Sequence, residues 1–430
     1  FFLTIWVRAR FLTMGTSPSD PEQGGVTTQP HPPLLRGWAA LALVLLASAS
    51  AWADTTLHEA LDRAWERAVV ARLAESRLGE ADASRTAANS WFAEPPSVGL
   101  SEKNDRLYDN RGAREHELDI TLPLWLPGQR AARETFAQRD EQDAQAGLAS
   151  ARLALAGELR AAVWNLATAK AESEIAAERL ATAEKLEADV ARRQKAGDLA
   201  RTDLLLTQEE TLAARASTIE AQSRERQALS RLRMLTGLDG MPGAIDETVT
   251  VLSAPHHPRL ALAQAAVERA SSQWKVVTTD RRNPPELSIG VVQTRDAFAA
   301  PGTSAVRVGI RVPFGTEARN APKLAAANSQ LIKAEAELRQ TVAEIETEQQ
   351  EAQSALDSAD AVYQAAQSRA ALASERLALQ QKAFSLGELG LAEFMRVRAA
   401  AVEARLDLLR ARYALSAARA GLNQARGILP

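Results

Sequence analysis

The chain has 430 residues, a formal net charge of -3, 46% hydrophobic residues and no cysteine. Its nearly balanced charge argues against nucleic acid as a partner, because proteins that bind nucleic acid normally carry a large basic excess. Without cysteine there is no disulfide, thiolate metal site or cysteine nucleophile. Aromatic residues are only 5% of the chain, which is typical of long, closely packed helices. The composition therefore disfavours an ordinary two-domain enzyme.

The N-terminal 53 residues (1–53) have the pattern of an upstream extension followed by a cleaved signal peptide. Met14 is the expected start, and an arginine then precedes an apolar run at 38–47. The motif Ala51-Trp52-Ala53 places small residues at both positions that a signal peptidase reads. The apolar run is shorter than the ~20 residues that a membrane-spanning helix needs. We therefore expect cleavage after Ala53 and export from the cytoplasm.

The rest of the chain consists of two similar halves. Gly197 recurs as Gly387 and Pro123 recurs as Pro313, each 190 residues later. One offset held across so long a span indicates an internal repeat. Each half reads helix, strand, strand, very long helix, glycine-bearing turn and returning helix. The predicted repeats are 54–253 and 254–430.

Four helices dominate the two repeats. No proline interrupts the first long segment, and at ~1.5 Å per residue such a helix is on the order of 100 Å long. Between Leu155 and Ala183, apolar and small residues recur in alternating steps of four and three, which predicts a coiled-coil seam. Several seam positions are alanine, so the partner helices can approach closely. The predicted helices are about 129–194, 203–235, 322–383 and 391–426.

Four strands are predicted from the strict alternation of apolar and polar residues. Leu118 and Ile120 alternate with charged residues, as do Val306 and Val308, so each strand has one apolar face and one wet face. A soluble hairpin on a helix bundle has the same pattern, but the strand lengths match the ~9–11 residues of a tilted membrane strand. The predicted strands are about 97–103, 115–124, 286–294 and 305–313. The residues expected to face a barrel lumen are Glu117, Asp119, Arg307 and Arg311.

Four strands are too few to close a barrel, since small closed barrels need about eight. Open sheet edges in lipid would leave backbone groups without hydrogen bonds. We therefore expect the chain to form an oligomer. The predicted fold class is mainly α with a membrane β-barrel, built from a duplicated helix–strand–strand–helix repeat with four strands per chain.

This layout resembles the TolC-type outer membrane efflux family over essentially all of Thr55–Pro430. In that family each half carries the motif R-x-x-x-G-x-x-x-x-x-D before its returning helix. The first half reads 193–203 with all three motif residues, whereas the second half keeps the glycine and an acid but has Ala383 in place of the arginine. The segment Leu122–Arg130 is most similar to the heavy-metal cation efflux (CzcC-like) branch.

The resemblance implies a homotrimer whose 12-stranded barrel in outer membrane lipid continues as a long α-helical coiled-coil barrel in the periplasm. It implies a passive exit duct for heavy-metal cations, docked on a periplasmic adaptor (membrane fusion protein) and supplied by an inner-membrane pump of the resistance–nodulation–division class. The same duct for drugs, organic compounds or type I protein secretion stays open. A periplasmic coiled-coil adaptor is a further alternative, although it needs one hairpin and this chain has two.

The resemblance makes the two glycine turns the periplasmic tip. Acids in a three-fold assembly form rings that favour cations, although acids near a helix N-terminus also simply stabilise the helix dipole. Glycine permits the turn conformation, and the exposed leucines are expected to contact the adaptor. The expected gate residues are Arg193, which pairs with a carboxylate, and Asp198, Asp203, Glu388 and Glu393. The expected docking residues are Gly197, Leu199, Gly387 and Leu389.

The histidines do not indicate a metal site. His116 is expected on the opposite sheet face from Glu117, and His256-His257 is expected in a solvated linker between the repeats. Neither position offers the three converging ligands that zinc normally requires. No Ser-His-Asp order, Gly-rich phosphate loop or HExxH motif is present. We therefore predict no catalytic residue, no cofactor and no metal site.

Overall fold

The structure is a computed structural model, and it describes residues 56–250 and 257–430. The predicted signal peptide at 1–53 and His256 lie outside the described residues. The described residues form one compact unit, so the described parts of both predicted repeats belong to the same body.

The described residues form helices and strands in the same order twice. The helices are α1 (Leu57–Arg67), α2 (Val69–Ala88), α3 (Gln129–Ala196), α4 (Arg201–Thr236), α5 (Pro258–Thr279), α6 (Glu317–Ser385) and α7 (Leu391–Ala425). The strands are β1 (Ser97–Asn104), β2 (Arg114–Pro123), β3 (Glu286–Arg295) and β4 (Thr303–Arg311). The order α2–β1–β2–α3–α4 thus recurs as α5–β3–β4–α6–α7. The prediction of a mainly helical, duplicated fold with four strands is confirmed.

The residues at the ends of the two long helices determine where each helix begins and stops. Helix α3 has 68 residues between Gly128 and Gly197, both left-handed at φ 83° and 89°. Helix α6 has 69 residues and begins at Glu317, five residues before the predicted start at Pro322. Proline disfavours helix on its N-terminal side, but Asn320 Nδ2 donates to the Arg281 carbonyl at 2.6 Å and holds this first turn in place. In the described part of the chain, no helix is both long and apolar enough to cross a membrane.

Each long helix pairs with its returning helix along a seam of small residues. On α4 the buried positions recur in steps of four and three, as a coiled-coil seam requires. They are Thr207, Thr211, Ala214, Thr218 and Ala221. The helices approach closely enough for the Thr218 hydroxyl to donate to the Ala176 carbonyl of α3 at 3.0 Å. The predicted seam on α3 is largely buried, with Leu159 and Ala162 at 0% and 2% exposed.

The strands form one antiparallel sheet in the order β1-β2-β3-β4, so β1 and β4 are its edges. The register places Asp119 between Gly99 of β1 and Gly290 of β3, and Gly290 opposite Arg307 of β4. Residues that face each other across an antiparallel pair point to the same side of the sheet. This register therefore shows that Gly99, Asp119, Gly290 and Arg307 lie on one face of the sheet, and that their neighbours along each strand lie on the other.

His257 is buried, not solvated as the sequence suggested. It is 7% exposed, and its Nδ1 accepts the Arg259 backbone N–H at 3.2 Å, which caps the start of α5. Burial lowers the pKa of the imidazole, as does the Arg259 charge, while Glu348 opposes them. The prediction of a solvated linker failed here because the Pro-rich segment leads directly into a packed helix.

Candidate functional site

The sheet has an apolar face that is open to the surroundings. Its side chains are 45% to 82% exposed, although soluble proteins rarely leave so large an apolar patch uncovered. The members of this apolar face are Val98, Leu100, Leu118, Ile120, Ile289, Val291, Val306, Val308 and Ile310. Such a surface suits an apolar environment and not water.

The opposite side, here called the charged face, carries all four residues predicted to line the lumen. Its polar members surround a cavity of about 220 Å³ and are Glu117, Asp119, Thr121, Glu286, Ser288, Arg307 and Arg311. Glu286 was not predicted, because it follows Pro285 at the very start of its strand. Its place opposite Arg311 in the register is a signal that only the strand pairing supplies.

Two ion pairs neutralise most of the charged face. Arg307 of β4 donates from Nη1 to the carboxylate of Glu117 on β2, so the side chain reaches across β3. Arg311 donates Nη1 to Glu286 at 3.2 Å. Among the described acids that line this cavity, Asp119 is the one that has no basic partner.

Asp119 lies in a space that two glycines leave open. A Cβ added at Gly99 would collide with the Asp119 carboxylate, and one added at Gly290 would lie 2.9 Å from Asp119 Cβ. The carboxylate accepts a hydrogen bond from the Thr121 hydroxyl at 3.1 Å. The facing residues Gly99, Asp119 and Gly290 thus leave an uncompensated negative charge at the middle of the charged face.

At the far end of the helices the structure brings the two glycine turns together. Gly197 and Gly387 have φ angles of 89° and 79°, the left-handed conformation that ends many helices. Around them Val190, Leu391 and Phe394 form a buried cluster, here called the tip core. The tip core combines side chains from both hairpins.

Arg193 joins the hairpins at this tip. Its Nε is 3.0 Å from Asp189 Oδ2, so it pairs with a carboxylate as predicted. Its guanidinium carbon also lies 5.6 Å from the ring centroid of Phe384 in the second hairpin. Phe384 in turn stacks on Phe394 at 4.7 Å. The sequence did not reveal this cation–π contact because the two partners are far apart in the chain.

The predicted exposure of Leu199 and Leu389 is wrong. Both are half-buried and pack against the tip core, because each left-handed glycine folds the following residues back onto the last turn. In the described turns themselves, Leu386 is the large apolar side chain that is exposed, at 65%. It directly precedes Gly387, and no motif in the sequence singles it out.

The four predicted tip acids divide into two kinds. Asp203 Oδ2 accepts the Ala200 N–H at 3.2 Å, so it stabilises the start of α4, and Glu393 pairs with Arg396 at 3.0 Å. Asp198 and Glu388 occupy equivalent positions in the two repeats and are exposed. Within the described ranges neither of these two has an ion-pair partner.

The chain is similar to outer membrane proteins of known family and structure. Residues 66–238 match the model of the outer membrane efflux protein family. The solved CusC structure has a TM-score of 0.73 at 18% identity, over 87% of this chain and 93% of that chain. The Campylobacter jejuni CmeC outer membrane channel has 0.70 at 14%, over 86% and 85%. The open Neisseria gonorrhoeae MtrE outer membrane channel has 0.68 at 16%, over 88% and 91%.

The fold is that of an outer membrane efflux channel. The family match in the first repeat and the shared fold together support the predicted efflux family. No curated protein matches the sequence significantly. Outer membrane efflux proteins are passive channels and not enzymes, in agreement with the predicted passive duct.

No described histidine belongs to a cluster of acids that could hold a metal ion. His116 stands opposite Glu102 and Gln293 in the register, on the sheet face opposite Glu117 as predicted. Among the described residues there is no group of three or more His, Asp or Glu side chains arranged to hold a metal ion. The charged face and the tip instead present charged side chains at two separate places on the chain.

Proposed function

We propose that the protein is the outer membrane channel of a tripartite efflux system and serves as a passive exit duct. The observation that carries this proposal is the two-faced sheet attached to the long hairpins. Its apolar face suits contact with lipid, and its charged face suits a water-filled lumen. The helical hairpins extend the path on the order of 100 Å into the periplasm.

Three copies of the chain complete the duct. The edge strands β1 and β4 have hydrogen-bonding groups that lipid cannot satisfy. Three four-stranded sheets joined edge to edge form a closed barrel of twelve strands, and the four long helices of each copy continue it as a coiled-coil barrel. The open edges require an oligomer, and the number of three copies comes from the family resemblance.

The tip is the proposed contact with the other parts of the system. The turns at Gly197 and Gly387 would dock on a periplasmic adaptor, with Leu386 as the exposed apolar anchor. Leu199 and Leu389 would act indirectly, by fixing the shape of the turns from the tip core. An inner-membrane pump of the resistance–nodulation–division class would supply both the substrate and the energy.

Heavy-metal cations are the proposed substrate. Among the described acids that line the sheet cavity or lie in the glycine turns, three have no ion-pair partner: Asp119 at the sheet, and Asp198 and Glu388 at the tip. In a trimer each becomes a ring of three carboxylates, and such rings concentrate cations in a narrow water-filled path. A duct for drugs, other organic compounds or secreted proteins uses the same frame, so the substrate needs a direct test.

Deletion of the gene followed by growth on two panels tests both levels of the proposal. The first panel contains zinc, cobalt, nickel, cadmium, copper and silver, and the second contains drugs and detergents. We expect sensitivity to certain cations, rescued by the wild-type gene and by the control Glu75→Gln on the exposed surface of α2. The triple variant Asp119→Asn, Asp198→Asn, Glu388→Gln should rescue poorly although it reaches the membrane.

The two panels separate the substrate from the duct itself. Sensitivity only to organic compounds would contradict the cation proposal and leave the duct in place. Normal growth on both panels, in a strain without related channels, would contradict the efflux function as a whole.

A further inference from the structure

A groove runs between the two hairpins on the tip side of the long helices. It is lined by α3, α6 and α7, and its cavity measures about 850 Å³, within the range of ~300–1,000 Å³ that small-molecule sites occupy. Much of its wall is apolar. The apolar lining residues include Ile175, Leu186, Leu377, Phe394, Val402 and Leu408.

One wall residue is a buried cation with no partner. Arg398 of α7 is 9% exposed, and its Nη2 is buried without a hydrogen-bond acceptor in the described part of the chain. Burial lowers the pKa of this guanidinium, against the attraction of Glu210, but arginine remains protonated in proteins. A buried charge is costly unless it is paired, so the groove lacks a negative group at this point.

The acids near Arg398 are already engaged. Glu210 lies 2.8 Å from Arg179, and Glu178 lies 2.7 Å from Arg405. Lys185, at the Leu186 end of the groove, likewise has no ion pair among the described residues. The groove therefore has an excess of positive charge within apolar walls.

We propose that this groove binds a small organic anion, a carboxylate or sulfonate attached to an apolar body. The acid group would accept hydrogen bonds from Arg398, which forms strong bidentate pairs with such groups, and the apolar body would cover Leu377 and Val402. A neutral molecule leaves the arginine unpaired, and an inorganic anion leaves the apolar walls uncovered. The amphiphilic anion satisfies both parts of the site.

The position of the groove gives such a ligand a structural effect. Ile175 and Leu186 belong to the first hairpin, whereas Leu377 and Arg398 belong to the second. An occupant touches both hairpins 11 to 22 residues before the turn at Gly197. Binding would therefore favour the arrangement in which the hairpins lie as they do here. This site is independent of the proposed export substrate.

Equilibrium dialysis with naphthalene-2-sulfonate tests the site on the purified full-length protein in a nonionic detergent, with empty micelles as the blank. We expect saturable binding that weakens at least tenfold in Arg398→Met. The matched control is Arg396→Met on the same helix, where the side chain is 76% exposed and outside the groove. It should bind as the wild type does. The neutral analogue naphthalene-2-methanol should bind at least tenfold more weakly than the sulfonate.

Two further measurements guard against a folding defect. Arg398→Met removes an unpartnered buried charge, so its melting temperature should equal or exceed that of the wild type. Leu377→Trp fills the groove and keeps the arginine, so it should also lose the sulfonate. Equal binding by wild type and Arg398→Met, equal binding of the neutral analogue, or full binding by Leu377→Trp would each overturn the proposal. None of these results depends on transport, so they leave the efflux proposal to its own test.

Discussion

The guanidinium of Arg193 in the first hairpin lies over the ring of Phe384 in the second, 5.6 Å from its centroid. The two repeats differ at this point, because Ala383 stands where the first repeat has Arg193. One repeat therefore supplies the cation and the other supplies the ring. This contact joins the two hairpins at the tip.

Removal of this contact should loosen the tip. A cation–π pair at an exposed site contributes about 0.5–1 kcal/mol, so Arg193→Ala should favour separation of the hairpins and raise the mean conductance in planar bilayers. The matched control is Arg192→Ala, because Arg192 also pairs with Asp189, at 3.0 Å, but does not cover Phe384. Equal conductance of Arg193→Ala and the control would show that the contact does not hold the tip.

Gly387 should resist substitution because of its backbone angle alone. No atom lies within 4 Å of an added Cβ, so Gly387→Ala meets no clash, but its φ of 79° costs an L-residue about 1–2 kcal/mol. We expect a lower melting temperature for the purified variant. Gly390→Ala is the control, since it has equal space and a φ of -70°. Indistinguishable melting of the two variants would contradict the left-handed turn.

The two sheet faces should respond differently to charge. Val308→Lys places a cation on the apolar face, where lysine near the membrane midplane costs about 2–4 kcal/mol. Ala305→Lys places the same charge on the same strand but on the opposite face. We expect only the first variant to be depleted from the outer membrane fraction, measured by immunoblot against total protein. Equal depletion of both variants would mean that the faces are not distinguished by lipid.

Acid should destabilise the helical part through His257. Burial lowers its pKa below the ordinary 6.5, with Arg259 acting in the same direction, so the unfolded chain takes up the proton first. The stabilisation is complete above about pH 6.5 and is lost as pH falls through the lowered pKa. His257→Asn keeps an oxygen to cap α5 and removes the titration.

Denaturant unfolding between about pH 5 and pH 7 measures this effect. The free energy of unfolding should fall with decreasing pH more steeply in the wild type than in His257→Asn. His116→Asn, at an exposed strand position, serves as the control and should keep the wild-type slope. A wild-type slope in His257→Asn would assign the acid sensitivity to other groups.

The sequence predicts those parts of the structure that depend on local periodicity. Leu118 and Val308 lie on the apolar face because alternation along a strand leaves no other choice. The ends of α3 follow from Gly128 and Gly197, since glycine most readily adopts the left-handed conformation. Because the second repeat has the same order of strands and helices, the same reasoning predicts its strand faces and helix ends.

The features that the sequence did not predict arise where distant segments meet. The pairing of Glu117 with Arg307, which leaves Asp119 unpaired in the sheet cavity, depends on the register of three strands. The half-burial of Leu199 and Leu389 depends on the tip core, to which both hairpins contribute. Arg398 looks like any other helical arginine until both hairpins enclose it.

Conductance of the purified full-length protein in a planar lipid bilayer tests the central claim most directly. The account predicts a heat-sensitive trimer that inserts and gives discrete conductance steps with a preference for cations. This preference should weaken when Asp119, Asp198 and Glu388 are neutralised together. A folded protein that stays monomeric and gives no conductance steps would contradict the proposed duct.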